Sequence, residues 1–260
     1  MRYFDQLNRE LLLSGAPRRI VSLVPSISEY LWDLNLREEL VGITKFCIKP
    51  AEMYDRIEKI GGTKSIHIDK IRTLQPDLII ANKEENTKEQ IDVLSNEFPV
   101  WVSDVNTMNE ALEMMRLLGE LCNRKTEAIQ LVQETENGLH TCKDLFAKNS
   151  CVYLMWNEPY MAAASNTFIN SVLNYTGFVN VLQDRERYPV VALNEIKLLQ
   201  PEYCLLSSEP FPFKDKHVNL LQHELKSCKV VLVDGEMFSW YGSHLLTLPL
   251  YLNKLKKEIG

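Results

Sequence analysis

The sequence predicts an α/β protein of two similar lobes with parallel-type sheets, joined by one long backbone helix and leaving a ligand cleft between the lobes. Three observations predict it. First, Ile71-Arg-Thr-Leu-Gln-Pro76-Asp-Leu-Ile-Ile-Ala-Asn-Lys-Glu84 returns as Ile196-Lys-Leu-Leu-Gln-Pro201-Glu-Tyr-Cys-Leu-Leu-Ser-Ser-Glu209. In each copy a helical turn stops before a proline, which disfavours helix in the residue preceding it, and an apolar run then reads as a buried strand. Second, each copy is preceded by a strand-then-helix pattern, from Arg19–Val24 and from Cys151–Trp156, and is followed by a β-rich run, Pro99–Val102 and Lys229–Asp234. Third, residues 124–148 carry Ile129, Val132, Leu139 and Leu145 at helical spacing with almost no breaker, which suits a connector.

In chain order, residues 1–17 form a short amphipathic lead-in ending at Gly15-Ala-Pro17. The first lobe, 18–123, opens with a strand over 19–24 and a helix from the Pro25-Ser26 region to about Leu36, where a serine can cap. A strand at 41–44, loops at 46–54 and 61–67, the first repeat copy, and a helix over about 87–97 follow. Helix resumes over 107–122, and Asn123-Arg124 marks a break before the connector, 124–148; Gly138 weakens that helix in its middle. The second lobe, 149–260, holds a strand at 151–156, a helix at about 167–175 closed by Gly177, a loop at 185–189 and the second repeat copy. A strand at 229–233, an aromatic loop Met237–Gly242 and a closing helix from about His244 complete it. A rigid helical connector implies less hinge closure than flexible linkers would.

A 260-residue chain can hold two lobes of ordinary domain size. A net charge of −6 excludes nucleic-acid binding through a broadly basic surface. The apolar runs fall well short of the ~20 residues that span a bilayer, so the protein is not expected to be membrane-embedded. The first sixteen residues mix acidic with apolar positions and lack a signal-type apolar core, so the chain as written reads as cytoplasmic, and as periplasmic if a leader has been removed. The six cysteines, Cys47, Cys122, Cys142, Cys151, Cys204 and Cys228, have no close pairing, which favours reduced thiols. A monomer is expected.

No catalytic constellation is present. There is no G-x-G-x-x-G after a strand, no Walker lysine loop, no G-x-S-x-G elbow and no H-E-x-x-H, and the five histidines show no metal-binding spacing. What stands out instead is aromatic residues in predicted loops: Tyr188, Phe238, Trp240 and Tyr241. Rings outside apolar faces suit a flat, largely apolar ligand held by ring contacts and a few polar anchors. The alternative is that they pack beneath their own loops.

Arg19-Ile-Val-Ser-Leu-Val-Pro25-Ser26-Ile-Ser-Glu29, Leu40-Val-Gly-Ile-Thr44, Ile60-Gly-Gly62, Ile71–Ile80 and Leu206–Phe213 together resemble the substrate-binding proteins of cobalamin and ferric-siderophore ABC importers, over nearly the whole chain after Pro17. The cobalamin branch is the more similar. The resemblance implies a non-catalytic receptor for a corrinoid or related tetrapyrrole or metal chelate, with no covalent cofactor and with ABC importer membrane subunits as partners. Haem or a ferric siderophore is the alternative ligand, the siderophore favoured by Lys45, Lys49 and Lys64, because acidic chelates need cations. A metal- or cofactor-dependent enzyme is the alternative from another class. Residue by residue, the resemblance places the ligand against Pro25, Ser26, Phe46, Lys64, Trp156, Tyr188, Glu236 and Trp240, to which the loop reading adds Tyr241. Lys64 stands where the cobalamin-binding relative has a tryptophan, and Trp240 where it has an arginine. For docking, the family places an acidic residue seven positions before each repeat proline. Asp69 fits, whereas the second copy has Asn194 there with Glu195 next to it. Cys47 and His67, in the loops of Phe46 and Lys64, are the candidates for metal ligation, against an ordinary loop cysteine and a solvated histidine, and a histidine can take the lower axial position of a corrinoid cobalt.

Overall fold

A computed structural model of the chain describes residues 1–259. It divides into two compact units: Met1–Val105 with Asn109–Thr135 and Tyr241–His244, and Asn106–Met108 with Glu136–Trp240 and Leu245–Gly260.

The first unit begins with an antiparallel hairpin, β1 (Arg2–Phe4) and β2 (Glu10–Leu12). The sequence shows only an amphipathic lead-in there. The hairpin forms because its loop finds partners along a sheet edge: the Gln6 amide donates to the Val102 carbonyl at 3.2 Å, and the Trp101 indole donates to the Phe4 carbonyl at 3.2 Å. It thereby covers an edge strand that would otherwise present unpaired backbone groups. There follow β3 (Ile20–Ser22), α1 (Pro25–Asp33), β4 (Leu40–Ile43), α2 (Ala51–Arg56), β5 (Glu58–Lys59), α3 (Ile68–Leu74), β6 (Leu78–Asn82), α4 (Lys88–Ser95), β7 (Val100–Ser103) and α5 (Met108–Leu121). No serine caps α1. Pro25 sits at its first position, where a missing N–H costs nothing, and Val24 is the N-cap residue.

The five strands form one parallel sheet in the order β5-β4-β3-β6-β7. Helices on its faces account for strands that are apolar throughout: every residue of β3, β6 and β7 is buried. One core layer gathers Val21, Ile60, Ile71, Ile79, Leu94 and Val102.

The helix α6 (Lys125–His140) starts after the break at Asn123, which takes φ 56°, and the division between the units falls within it. The periodicity predicts helix to 148, but α6 closes at His140. Beyond it the backbone amides prefer other partners: Asp144, Phe146 and Lys148 donate to the carbonyls of Tyr175, Thr176 and Gly177, at 3.1, 2.8 and 2.8 Å. Phe146 also stacks on Phe178 with ring centroids 4.2 Å apart.

The second unit continues with β8 (Ser150–Trp156), β9 (Met161–Ala162), α7 (Phe168–Tyr175), β10 (Val179–Asn180), α8 (Leu193–Leu199), β11 (Tyr203–Ser207), α9 (Asp215–Glu224), β12 (Lys229–Val233), α10 (Glu236–Ser239), a short 3-10 turn and α11 (Leu248–Ile259). Thr167 caps α7 by accepting from the Asn170 amide. The sheet runs β10-β8-β11-β12, all parallel, with β9 antiparallel to β8. Val152, Leu154, Ile196, Cys204, Leu206 and Leu221 share one core layer.

In each sheet the chain lays its first strand near the middle, builds outward on one side, then returns to the other. The order therefore reverses between β3 and β6 in the first unit, and between β8 and β11 in the second. Open α/β sheets take ligands at the carboxyl ends of strands at such reversals.

Candidate functional site

At the carboxyl edge of the first sheet, β3 leads into half-buried Pro25 and buried Ser26, at the N-terminus of α1. β4 leads to Lys45 and Phe46. The Phe46 ring is 51% exposed, and the Lys45 ammonium lies 5.2 Å from its centroid. Gly62 lies directly beneath: a Cβ there would stand 3.2 Å from Phe46 Cε2 and 3.6 Å from Lys45 Cε. Lys64, exposed, donates from Nζ to the Glu84 carbonyl in the loop after β6. Asn86 ties these loops together. Its Nδ2 donates to the carbonyls of Leu23 at 3.2 Å and Thr63 at 3.0 Å, while its Oδ1 accepts from the Asn82 amide at 2.9 Å. The loops after β3, β5 and β6 are thus pinned to one another at the strand reversal. Glu85 keeps exposed surface, yet the protein gathered around it raises its carboxyl above the usual range, with Lys64 pulling it partly back.

At the carboxyl edge of the second sheet, Trp156 ends β8 with 41% of its surface exposed. Phe211, after β11, meets it edge-on with centroids 5.9 Å apart and is itself backed by Phe213 at 4.8 Å and His217 at 5.4 Å. The Phe211 amide donates to the Met155 carbonyl at 3.3 Å, which ties this loop to β8. Glu236 and Trp240, at the two ends of α10, are half-buried, and Ser239 Oγ donates to Glu209 Oε1 at 2.9 Å. Gly235 permits this approach, since a Cβ there would fall 2.4 Å from Glu209 Cγ. Tyr188 is half-buried beneath the Arg187 guanidinium, 5.7 Å from its ring centroid. A cavity of about 250 Å³ bounded by Lys197, Pro201, Glu224 and Cys228 lies elsewhere, at the opposite edge, where β11 and β12 begin.

Three sequence expectations change. The loop expected to be irregular after β12 is mostly helical, and Phe238 within it is fully buried against Tyr153, centroids 5.3 Å apart. Tyr241, expected as an exposed ring beside Trp240, is 6% exposed; it begins the Tyr241–His244 segment, which packs within the first unit. There Gly242, at φ 85°, lies close against Tyr30, and His244 Nδ1 sits 2.9 Å from Glu29 Oε2. Cys47, expected in an open loop, is wholly buried, with its sulfur 3.2 Å from Ser28 Oγ and 3.1 Å from Thr44 Oγ1. Burial raises this thiol despite those hydrogen bonds, so the thiolate a metal needs is disfavoured. His67 is exposed with its ring against Gly61, and no group of three or more metal-ligating side chains occurs among the described residues.

Asp69 and Glu195 both lie in the first turns of equivalent helices, α3 and α8. The Asp69 side chain is 95% exposed and pairs with Arg72 at 2.7 Å, whereas Glu195 turns onto Arg185. Sequence reasoning did not single out Asn86, Glu209 or Phe211. The available signals were a polar pair four apart after a buried strand, Asn82 and Asn86, and an aromatic pair after a proline, Phe211 and Phe213.

A family model described as periplasmic binding protein matches residues 20–226, and the chain belongs to that family. A vitamin B12-binding protein of Pectobacterium carotovorum is 22% identical over 256 residues, 95% of this chain and 92% of the relative. The crystal structure of the periplasmic vitamin B12-binding protein of Vibrio cholerae superposes with a TM-score of 0.78 at 20% identity, covering 94% of this chain and 98% of that one. A periplasmic haem-binding protein of Pseudomonas aeruginosa gives 0.77 at 17% identity, covering 94% and 92%. The chain is therefore a non-catalytic solute-binding receptor of the kind that serves ABC importers, not an enzyme. Family members are periplasmic, and no helix among the described residues is long and apolar enough to cross a membrane.

Proposed function

We propose that this receptor binds a corrinoid or a related tetrapyrrole and delivers it to an ABC importer. The observation that carries the reading is an exposed aromatic ring at the carboxyl edge of each sheet, Phe46 in the first unit and Trp156 in the second, each backed by its own unit. Exposed large rings at strand reversals suit a flat conjugated ligand. Vitamin B12-binding relatives that span most of the chain support the choice of macrocycle. Pro25 and Lys64 supply further contacts from the first unit, and Tyr188, Glu236 and Trp240 from the second. Ser26 and Tyr241 are left out because both are buried.

For docking on the importer, Asp69 is the stronger acidic contact, since its side chain is 95% exposed and its partner Arg72 is shared with Glu97; Glu195, 30% exposed, is paired with Arg185 and would exchange that partner. Charge reversal at Asp69 should reduce uptake in cells while leaving affinity for the ligand intact.

Titrating the purified protein with cobalamin, cobinamide, haem and a ferric siderophore, followed by visible absorption and calorimetry, tests the reading. A tetrapyrrole should bind. Silence from all four would refute a receptor of this kind, and binding of the siderophore alone would replace the ligand class.

A further inference from the structure

We propose that Lys45 and Lys64 form a cationic rim beside Phe46, and that the ligand is a flat macrocycle carrying ionised carboxylates at its edge rather than a fully amidated or esterified one. The inference rests on the tetrapyrrole reading above.

A molecule stacked on the exposed face of Phe46 would bring its edge to the Lys45 ammonium, 5.2 Å from the ring centroid, and to the loop that runs from Gly62, under the ring, to Lys64. Lys45 lies against the ring itself, its stem packed over the Gly62 loop, and it makes no ion pair among the described residues. Long lysine stems cover apolar surface in this way while their charge stays in water. Lys64, two residues beyond Gly62, is anchored by a neutral backbone carbonyl, so its charge is not cancelled by that contact.

Two further lysines of these loops have partners of their own. Lys83 pairs with Asp104 at 2.6 Å, and Lys59 lies over the Tyr54 ring at 4.2 Å and bonds the Ile57 carbonyl. Glu84 turns one carboxylate oxygen fully inward. Glu85 is the acid that opposes Lys64: the protein gathered around it raises its carboxyl above the usual range, and Lys64 pulls it partly back. The charge that lies against the ring itself is the Lys45 ammonium, in a chain whose net charge is −6. A neutral macrocycle would gain little from two ammonium groups that must give up water to touch it; an ionised carboxylate repays that loss.

Ring-matched ligand pairs test this on the full chain by calorimetry at low and high salt. One pair is a corrinoid with free side-chain carboxylates and its amidated counterpart; the other is a dicarboxylate porphyrin and its dimethyl ester. Within whichever pair binds, the carboxylate form should bind about 10-fold tighter or more at low salt and lose most of that advantage at high salt. Lys45→Gln and Lys64→Gln should each weaken the carboxylate form about 10-fold more than the uncharged form, with melting temperatures unaltered. Equal or tighter binding of the uncharged form, or a carboxylate preference that survives in the double variant, would overturn the rim while leaving the receptor reading in place. Failure of all four rings to bind would instead remove the tetrapyrrole reading on which the rim depends.

Discussion

The two copies of the repeat have nearly the same backbone and different chemistry. In the first unit α3 ends at Gln75, at φ 46°, before Pro76 and a wholly buried β6; in the second α8 ends at Gln200, at φ 47°, before Pro201 and the nearly buried β11. Each helix has seven residues and each strand five. Past the strands the copies part. Asn82-Lys-Glu-Glu-Asn86 ties the loops of the first unit together through Asn86, whereas Ser207-Ser-Glu-Pro-Phe211 sets an aromatic ring behind Trp156. Outer faces differ too: Leu198 on α8 is 85% exposed where α3 carries Thr73. The helix-to-strand step is what both sheets need in order to close, while the loops beyond it carry the proposed ligand contacts. Those loops are free to diverge because they do not hold the sheet together.

If that division is right, the largest effects belong to the shared part. Ile80 and Leu205 occupy equivalent positions in β6 and β11, and both are fully buried. Replacing either with alanine should cost about 2–5 kcal/mol of folding free energy, read from denaturant midpoints. A large loss in one and none in the other would break the equivalence.

A sharper contrast lies within α10 and its end. Phe238→Ala removes a fully buried ring and should cost about 3–5 kcal/mol of stability. Trp240→Ala, two residues on, should leave the melting temperature nearly unchanged and weaken ligand binding by roughly 1–3 kcal/mol, about 5- to 150-fold. Unaltered affinity in a destabilised Trp240 variant would assign that ring to the core.

The smallest effects test the glutamines. A non-glycine residue at positive φ is strained, so Gln200→Gly should raise stability by about 0.5–1 kcal/mol. Gln75→Gly should gain less, because Gln75 Nε2 donates to the Arg72 carbonyl at 2.7 Å and that bond would be lost. Equal gains would mean the side-chain bond contributes nothing.

Much of this fold is legible in the sequence because its determinants are local. Strands β3, β4, β8 and β12 and helix α7 lie where apolar runs and turn residues predict them, and Asn123 breaks the helices as expected. What the sequence conceals depends on partners far along the chain. The hairpin of β1 and β2 needs the edge of β7, about 90 residues away, and the end of α6 is decided by carbonyls at 175–177. The same holds at the site. Phe46 and Trp156 are exposed rings, but Cys47, one residue from Phe46, turns inward to Ser28, and Tyr241, one residue from Trp240, is buried. Adjacent residues in a loop point to opposite sides, so a motif names the neighbourhood without saying which side chain faces out.

Hydrogen exchange of the whole protein, with and without a saturating bound tetrapyrrole, tests most directly whether the carboxyl edges of both sheets hold the ligand. Protection should rise in the loops after β3, β4, β5 and β6 in the first unit, and after β8, β11 and β12 in the second. The opposite edge, around Pro201 and Cys228, should not change. Protection confined to that edge, or absent from the loops of either unit, would contradict the assignment.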